Sequence, residues 1–133
     1  MDNLIKLIKE ARFVFVCGNG GSASTAEHFT NDLFSKGIPA ICLNSNTSIM
    51  TMIGNDFGYE FVFARQLKLF AGPLDLLITI SCSGTSPNIV NGQAAALNKG
   101  TKVYAFETFT TDRDYGKLED KHLALVHSIV SKL

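Results

Sequence analysis

A chain of 133 residues is long enough for one domain with a single core, and its 46% hydrophobic and 18% charged residues describe a globular composition rather than a disordered one. Twelve basic and twelve acidic residues cancel, which excludes the electrostatic footprint of a nucleic-acid-binding module. No stretch reaches the length of a membrane span, and the first ten residues, with Asp2 and Glu10 among them, show no cleavable leader pattern. Neither membrane nor nucleic acid is an expected partner, and the expected location is cytoplasmic.

Leu4, Ile5, Leu7 and Ile8 recur at helical spacing and predict a short amphipathic helix over residues 3–11. Phe13 to Ser22 reads FVFVCGNGGS, an apolar β-type run that breaks into glycines and then into a helical pattern. Ser22 or Ser24 is placed to cap that helix, whose apolar positions Ala26, Phe29, Leu33 and Phe34 continue to Gly37, a C′ glycine. Residues 40–43 predict a second strand and 44–48 a turn-rich link. Residues 48–70 are helical in pattern, but Gly54-Asn55-Asp56-Phe57-Gly58 splits them into two helices. Leu76 to Ile80 predicts the third strand; Pro87 opens a helix that runs to Asn98 and is ended by Gly100. Residues 102–106 predict strand four, 108–115 a polar, mobile connection, and 116–132 a last amphipathic helix. Strands alternating with helices over short links require a parallel sheet with right-handed crossovers and helices on both faces, as one domain over residues 1–133.

Two strand-loop-helix turns carry the chemistry. In the first, Gly18, Gly20 and Gly21 let backbone N–H groups crowd an anion at a helix N-terminus. The second, Ser81-Cys82-Ser83-Gly84-Thr85-Ser86, supplies hydroxyls. The first lacks the lysine of a Walker loop and the full G-x-G-x-x-G spacing. Taken singly, one is no more than a tight turn and the other no more than a helix cap. As a pair they point to a phosphorylated small molecule gripped at the edge of a parallel sheet.

His28 and Asp32 lie four apart on one helix, hence on one face. Glu119 and His127 lie eight apart on the last, roughly 80° around its axis. All four suit a divalent metal, and Asp32 with His127 would serve equally as an acid–base pair. On residue types alone, a polar helix surface with a core histidine is the simpler reading. Cys17, Cys42 and Cys82 lack C-x-x-C spacing and read as reduced, buried thiols, Cys82 being a small thiol in a phosphate loop rather than a nucleophile. His122 reads as a surface or interface residue. Asn55 and Asp56 are either a helix break capped by the aspartate or hydroxyl-binding groups.

The stretches GNGGSASTAEHFTNDL (18–33), IGNDFGYEFVFARQ (53–66), ISCSGTSPNIV (80–90) and LEDKHLALVH (118–127) resemble the sugar isomerase (SIS) domain and, within it, the phosphoheptose isomerase family. They fall in the family's order over nearly the whole chain. The resemblance implies a flavodoxin-like, three-layer α/β fold in a compact four-strand version. It implies substrate contacts from Asn19, Gly20, Gly21 and Ser22, a phosphate cradle of Ser81, Cys82, Ser83 and Ser86, and further substrate contacts from Asn55, Asp56 and Glu119. It also places His28, Asp32, Glu119 and His127 on the family's metal and active-site positions, reversing the surface reading, with zinc as the candidate ion, one divalent ion per site. Asp32 is then the candidate base and His127 its acid–base partner.

The sequence departs from the family at three of these positions: Asp32 stands for a glutamate, Glu119 for a glutamine and Cys82 for a threonine. It also matches neither the family's long N-terminal helix nor its fifth strand. The expected activity is aldose–ketose isomerisation of a phosphorylated sugar, sedoheptulose 7-phosphate first among them, through an enediol. The alternative is a non-catalytic SIS module that binds a phosphosugar or a protein. A homo-oligomer, dimer or tetramer, is expected because so small a domain cannot easily enclose a sugar. Leu118, Leu125, Val126, Ile129 and Val130 also exceed what one small sheet needs to cover.

Overall fold

A computed structural model describes residues 1–109, 111 and 113–133. Its strands are β1 (Val14–Gly18), β2 (Ala40–Cys42), β3 (Leu76–Ile80) and β4 (Lys102–Ala105), and its helices α1 (Asp2–Glu10), α2 (Gly21–Ser35), α3 (Thr47–Asp56), α4 (Ala64–Phe70), α5 (Pro87–Asn98) and α6 (Tyr115–Val130), with a 3₁₀ turn at Tyr59–Phe61. The strands form one sheet in the order β2-β1-β3-β4, every neighbouring pair parallel. Among the described residues no helix is long and apolar enough to cross a membrane.

The two central strands are buried along their whole length, which explains their unbroken apolar sequences. Their alternation assigns each residue to a face. Val14 and Val16 of β1 join Leu76, Ile78 and Ile80 of β3 in a core with Ile8, Phe29, Leu33, Val126 and Ile129, so α1, α2 and α6 cover that side. Phe15, Cys17 and Leu77 turn the other way and pack with Ile53, Phe63, Leu67, Ile89 and Ala96 of α3, α4 and α5 and the segment between. The result is the expected three-layer, four-strand α/β fold.

Several local expectations shift. The first turn of α2 is reached through Gly20, at φ 56°, and neither Ser22 nor Ser24 is its cap. Gly37, at φ 73°, does follow that helix's C-terminus as expected. The interruption within residues 48–70 falls after α3, at the 3₁₀ turn, so Asn55 and Asp56 close α3 rather than cap α4, whose N-cap is Phe63. In α6, Asp114 Oδ1 accepts the Lys117 N–H at 3.1 Å and starts the helix one residue early. The expected mobile link at 108–115 includes Thr110 and Asp112, which lie outside the described residues.

His122 is the clearest correction. It is 1% exposed, its ring set edge-on to Phe106 at 5.4 Å between centroids, with Nε2 2.8 Å from the Glu107 carbonyl oxygen. Its place on the inner face of α6, one turn before Val126, makes it a core residue rather than a surface one. The apolar residues of α6 are also spent inward: Leu118, Val126 and Ile129 are buried, and Leu125 and Val130 pack against the same core. The apolar surplus expected on this helix lies elsewhere. Ile41, Met52, Leu69 and Phe70 are exposed along β2, α3 and α4, beside an open groove of about 540 Å³ lined by Ile41, Ile49, Gln66 and Phe70 among others.

Candidate active site

The sheet order places β1 beside β3, with β2 outside one and β4 outside the other. At such a switch point the loops leaving two adjacent strands open a crevice beyond their carboxyl ends. Here those loops are the glycine loop after β1 and the serine loop after β3, and Gly18 pairs in register with Ile80 just before them. Gly18 is required by space: a Cβ there would stand 2.6 Å from the Ser22 carbonyl oxygen and 2.8 Å from that of Ile80.

Asparagines brace the glycine loop. Asn44 accepts the Gly18 N–H at 3.2 Å and donates to the Gly18 carbonyl at 2.8 Å. Asn19 and Asn88 exchange amide hydrogen bonds, Asn19 Nδ2 to Asn88 Oδ1 at 2.9 Å and Asn88 Nδ2 to Asn19 Oδ1 at 2.8 Å. The Tyr59 hydroxyl donates to Asn19 Oδ1 at 3.1 Å. Asn44, Asn88 and Tyr59 were not singled out in the sequence. Asn44 is marked only by its position after strand two, whereas Tyr59 and Asn88 fall within the stretches 53–66 and 80–90 that carry the resemblance.

In the serine loop Gly84 adopts φ 68° and its N–H donates to Ser81 Oγ at 3.1 Å. The Thr85 N–H donates to Ser83 Oγ at 3.3 Å. Ser86 is the N-cap of α5, yet its hydroxyl makes no capping bond. Phe109 N–H donates to the Cys82 carbonyl at 2.9 Å, tying the loop to the strand-four exit. Between the loops lies a cavity of about 100 Å³ lined by Asn19, Ser22, Ser81, Cys82, Ser83, Ser86, Tyr115 and Glu119. Gly20 is exposed and Gly21 lies against the Glu119 carboxylate, and neither is among the residues that line the cavity. Tyr115 is a further wall residue that the sequence did not mark.

All three thiols are free and buried, and burial pushes each up from its ordinary range. For Cys82 a hydrogen bond with Ser22 works against burial, and the nearby Glu119 carboxylate adds to the rise. A thiol held in this form at neutral pH is a poor nucleophile.

Three of the four expected metal ligands converge. His28, Asp32 and His127 each offer a ligand atom within 4.8 Å of the others. His28 Nε2 is 3.3 Å from Asp32 Oδ2 and 3.2 Å from His127 Nε2, and Asp32 Oδ1 accepts from Asn31 Nδ2 at 3.3 Å. Two imidazoles and a carboxylate are a donor set that fits a zinc-like ion and leaves a coordination position for substrate. Glu119 is outside this group. Eight residues of helix separate it from His127, a rise of about 12 Å, which places it at the cavity instead. Asn55 and Asp56 are exposed, with Asn55 Nδ2 donating to Asp56 Oδ1 at 2.9 Å, and neither lines that cavity.

A crevice where two loops meet at the switch point of a parallel sheet, with a histidine–carboxylate group farther along α2 and α6, defines a ligand-binding class of α/β domain. Residues 1–108 match the SIS domain family. A phosphoheptose isomerase of Aliarcobacter butzleri is 40% identical over 122 residues, covering 87% of this chain and 62% of that one. Another, of Trichlorobacter lovleyi, is 34% identical, covering 95% and 74%. The solved phosphoheptose isomerase of Neisseria gonorrhoeae superposes with a TM-score of 0.90 at 26% identity, covering 98% of this chain and 80% of that one. The chain belongs to the SIS domain family and, within it, to the phosphoheptose isomerase family, while spanning about 62% of the length of its Aliarcobacter relative.

Proposed function

We propose that this chain is an aldose–ketose isomerase of a phosphorylated sugar, sedoheptulose 7-phosphate being the foremost candidate. The observation that carries this reading is the pairing of a hydroxyl-lined cavity at two helix N-termini with a separate His28–Asp32–His127 group. His28 lies six residues along α2 from Ser22, a rise of about 9 Å, and His127 about 12 Å along α6 from Glu119. A ligand that uses both places must be elongated, with its phosphate at one end and its reacting carbons at the other. The names of the relatives support the same substrate class.

The chain's residues divide the work. Ser83 and Ser86, with the N–H groups that open α5, hold the phosphate without a lysine. Asn19, held by Asn88 and Tyr59, and Glu119 meet sugar hydroxyls, and Asn55 and Asp56 extend that contact from the end of α3. Asp32 takes the proton from the carbon next to the carbonyl, and its electron pair becomes the enediol double bond. His127 moves the hydroxyl proton, and the carbon-bound proton is returned to the neighbouring carbon, converting ketose to aldose. A zinc ion held by His28, Asp32 and His127 would polarise the sugar's oxygens in place of that acid–base pair, because Asp32 and His127 cannot ligate the ion and carry these protons with the same atoms.

His28 and His127 are exposed in the single chain, whereas an enediol needs shelter from water. This supports a homo-oligomer, dimer or tetramer, in which a second copy covers the group. To test the activity, the purified protein is incubated with sedoheptulose 7-phosphate in deuterated water and followed by NMR. Appearance of the aldose, with deuterium at the carbon beside the carbonyl, is expected, together with its loss in Asp32→Asn. A protein that binds the ketose and exchanges no proton is a non-catalytic module instead.

A further inference from the structure

The cavity is bordered by two helix N-termini that are furnished differently. Ser22 from the first turn of α2 and Ser86, the N-cap of α5, both line it, and neither helix has an acidic residue in its own first turn. At α2 the acid comes from another element. An ideal Cβ on Gly21 would stand 2.5 Å from Cδ and from both carboxylate oxygens of Glu119. The carboxylate therefore occupies the place a side chain at Gly21 would take, against the first turn of α2, where the helix dipole favours negative charge. At α5 the Ser86 hydroxyl is not engaged in capping. The charge of Glu119 is felt across the cavity, since it contributes to the raised pKa of the Cys82 thiol in the serine loop.

An ionised carboxylate only accepts hydrogen bonds. It welcomes sugar hydroxyls as donors and repels a second anion at the same helix end. Resting on the phosphosugar reading above, we propose that Glu119 is a specificity-determining residue. Its carboxylate reserves the α2 end of the cavity for hydroxyl groups and steers the ligand's one anionic group to the serine loop. The cavity thereby prefers a hydroxylated phosphate ester to a bare phosphate. Gly21 is part of the device, because any larger residue there would displace the carboxylate.

The test compares inorganic phosphate with sorbitol 6-phosphate, a polyol phosphate with no carbonyl to isomerise, by titration calorimetry on the wild-type chain, Glu119→Gln and Glu119→Ala. Removing the charge is expected to tighten inorganic phosphate and to cut the preference for the polyol phosphate by roughly an order of magnitude in both variants. A purely structural role for Glu119 would weaken both ligands together. An unchanged or increased preference, with both ligands still bound, overturns the proposal and leaves the phosphosugar reading standing. Failure of the wild-type chain and both variants to bind either ligand overturns the proposal and the reading beneath it.

Discussion

His28 and His127, on different helices, lie 99 residues apart in sequence, yet their Nε2 atoms lie 3.2 Å apart. Asp32 reaches His28 from one turn further along α2 because residues four apart share a helix face. Glu119, on the same helix as His127, is drawn instead to the N-terminus of α2. The two placements are separable by metal content. After reconstitution with zinc, His28→Ala and His127→Ala should each lose most of the bound metal, because each removes one of three donors. Glu119→Gln should keep the wild-type content, as read by elemental analysis. Loss in Glu119→Gln equal to that in the histidine variants would return Glu119 to the ligand set. Binding in the wild-type chain should weaken in acid, since imidazole ligands must be neutral.

Among the elements, β1 and β3 together decide where the loops meet. Their register brings Gly18 opposite Ile80, so the glycine loop and serine loop leave the sheet at the same height. Gly18 allows this approach because its α-carbon sits between two carbonyl oxygens, of Ser22 and Ile80, with no room for a side chain. Both neighbours are backbone and cannot rotate away. Gly18→Ala should therefore destabilise the chain by about 1–3 kcal/mol, the usual cost of overpacking, and should separate the loops enough to weaken phosphosugar binding. Urea denaturation reads the first effect and calorimetry the second. Retention of wild-type stability in Gly18→Ala would show that the loops have slack that this geometry denies.

For the whole molecule, the decisive surface is the apolar one on β2, α3 and α4. Ile41 is 39%, Met52 47%, Leu69 76% and Phe70 47% exposed, while α6 is spent on the core. The proposed oligomer predicts a mass by light scattering above that of a single chain, and a shift toward monomer in Leu69→Asp combined with Phe70→Asp. These positions are exposed, so the substitutions need not cost core packing. A monomeric mass at high protein concentration would remove the oligomer and with it the proposed cover over His28 and His127, which lie on α2 and α6 across the sheet from α3 and α4 and so need a second contact.

Apolar runs long enough for one strand each, such as Val14 to Cys17, and Pro87 and Gly37 at helix ends determined the element order and the parallel three-layer fold from sequence. These signals are local, and local chemistry suffices to read them. The paired loops and the i, i+4 spacing of His28 and Asp32 were legible for the same reason. The resemblance carried the remaining site expectations, including the union of His28 and Asp32 with His127. Tertiary structure alone decided what α6 packs against. The stripe of Leu118, Val126 and Ile129 marks the inward side of the helix, and with it His122, but not the element that side meets. Docking α6 on α2 therefore sent His127 to the histidine–carboxylate group and Glu119 to the cavity. The bracing of Asn19 by Asn88 and Tyr59 was likewise closed to sequence reading, because those contacts join residues 69 and 40 positions away in the chain.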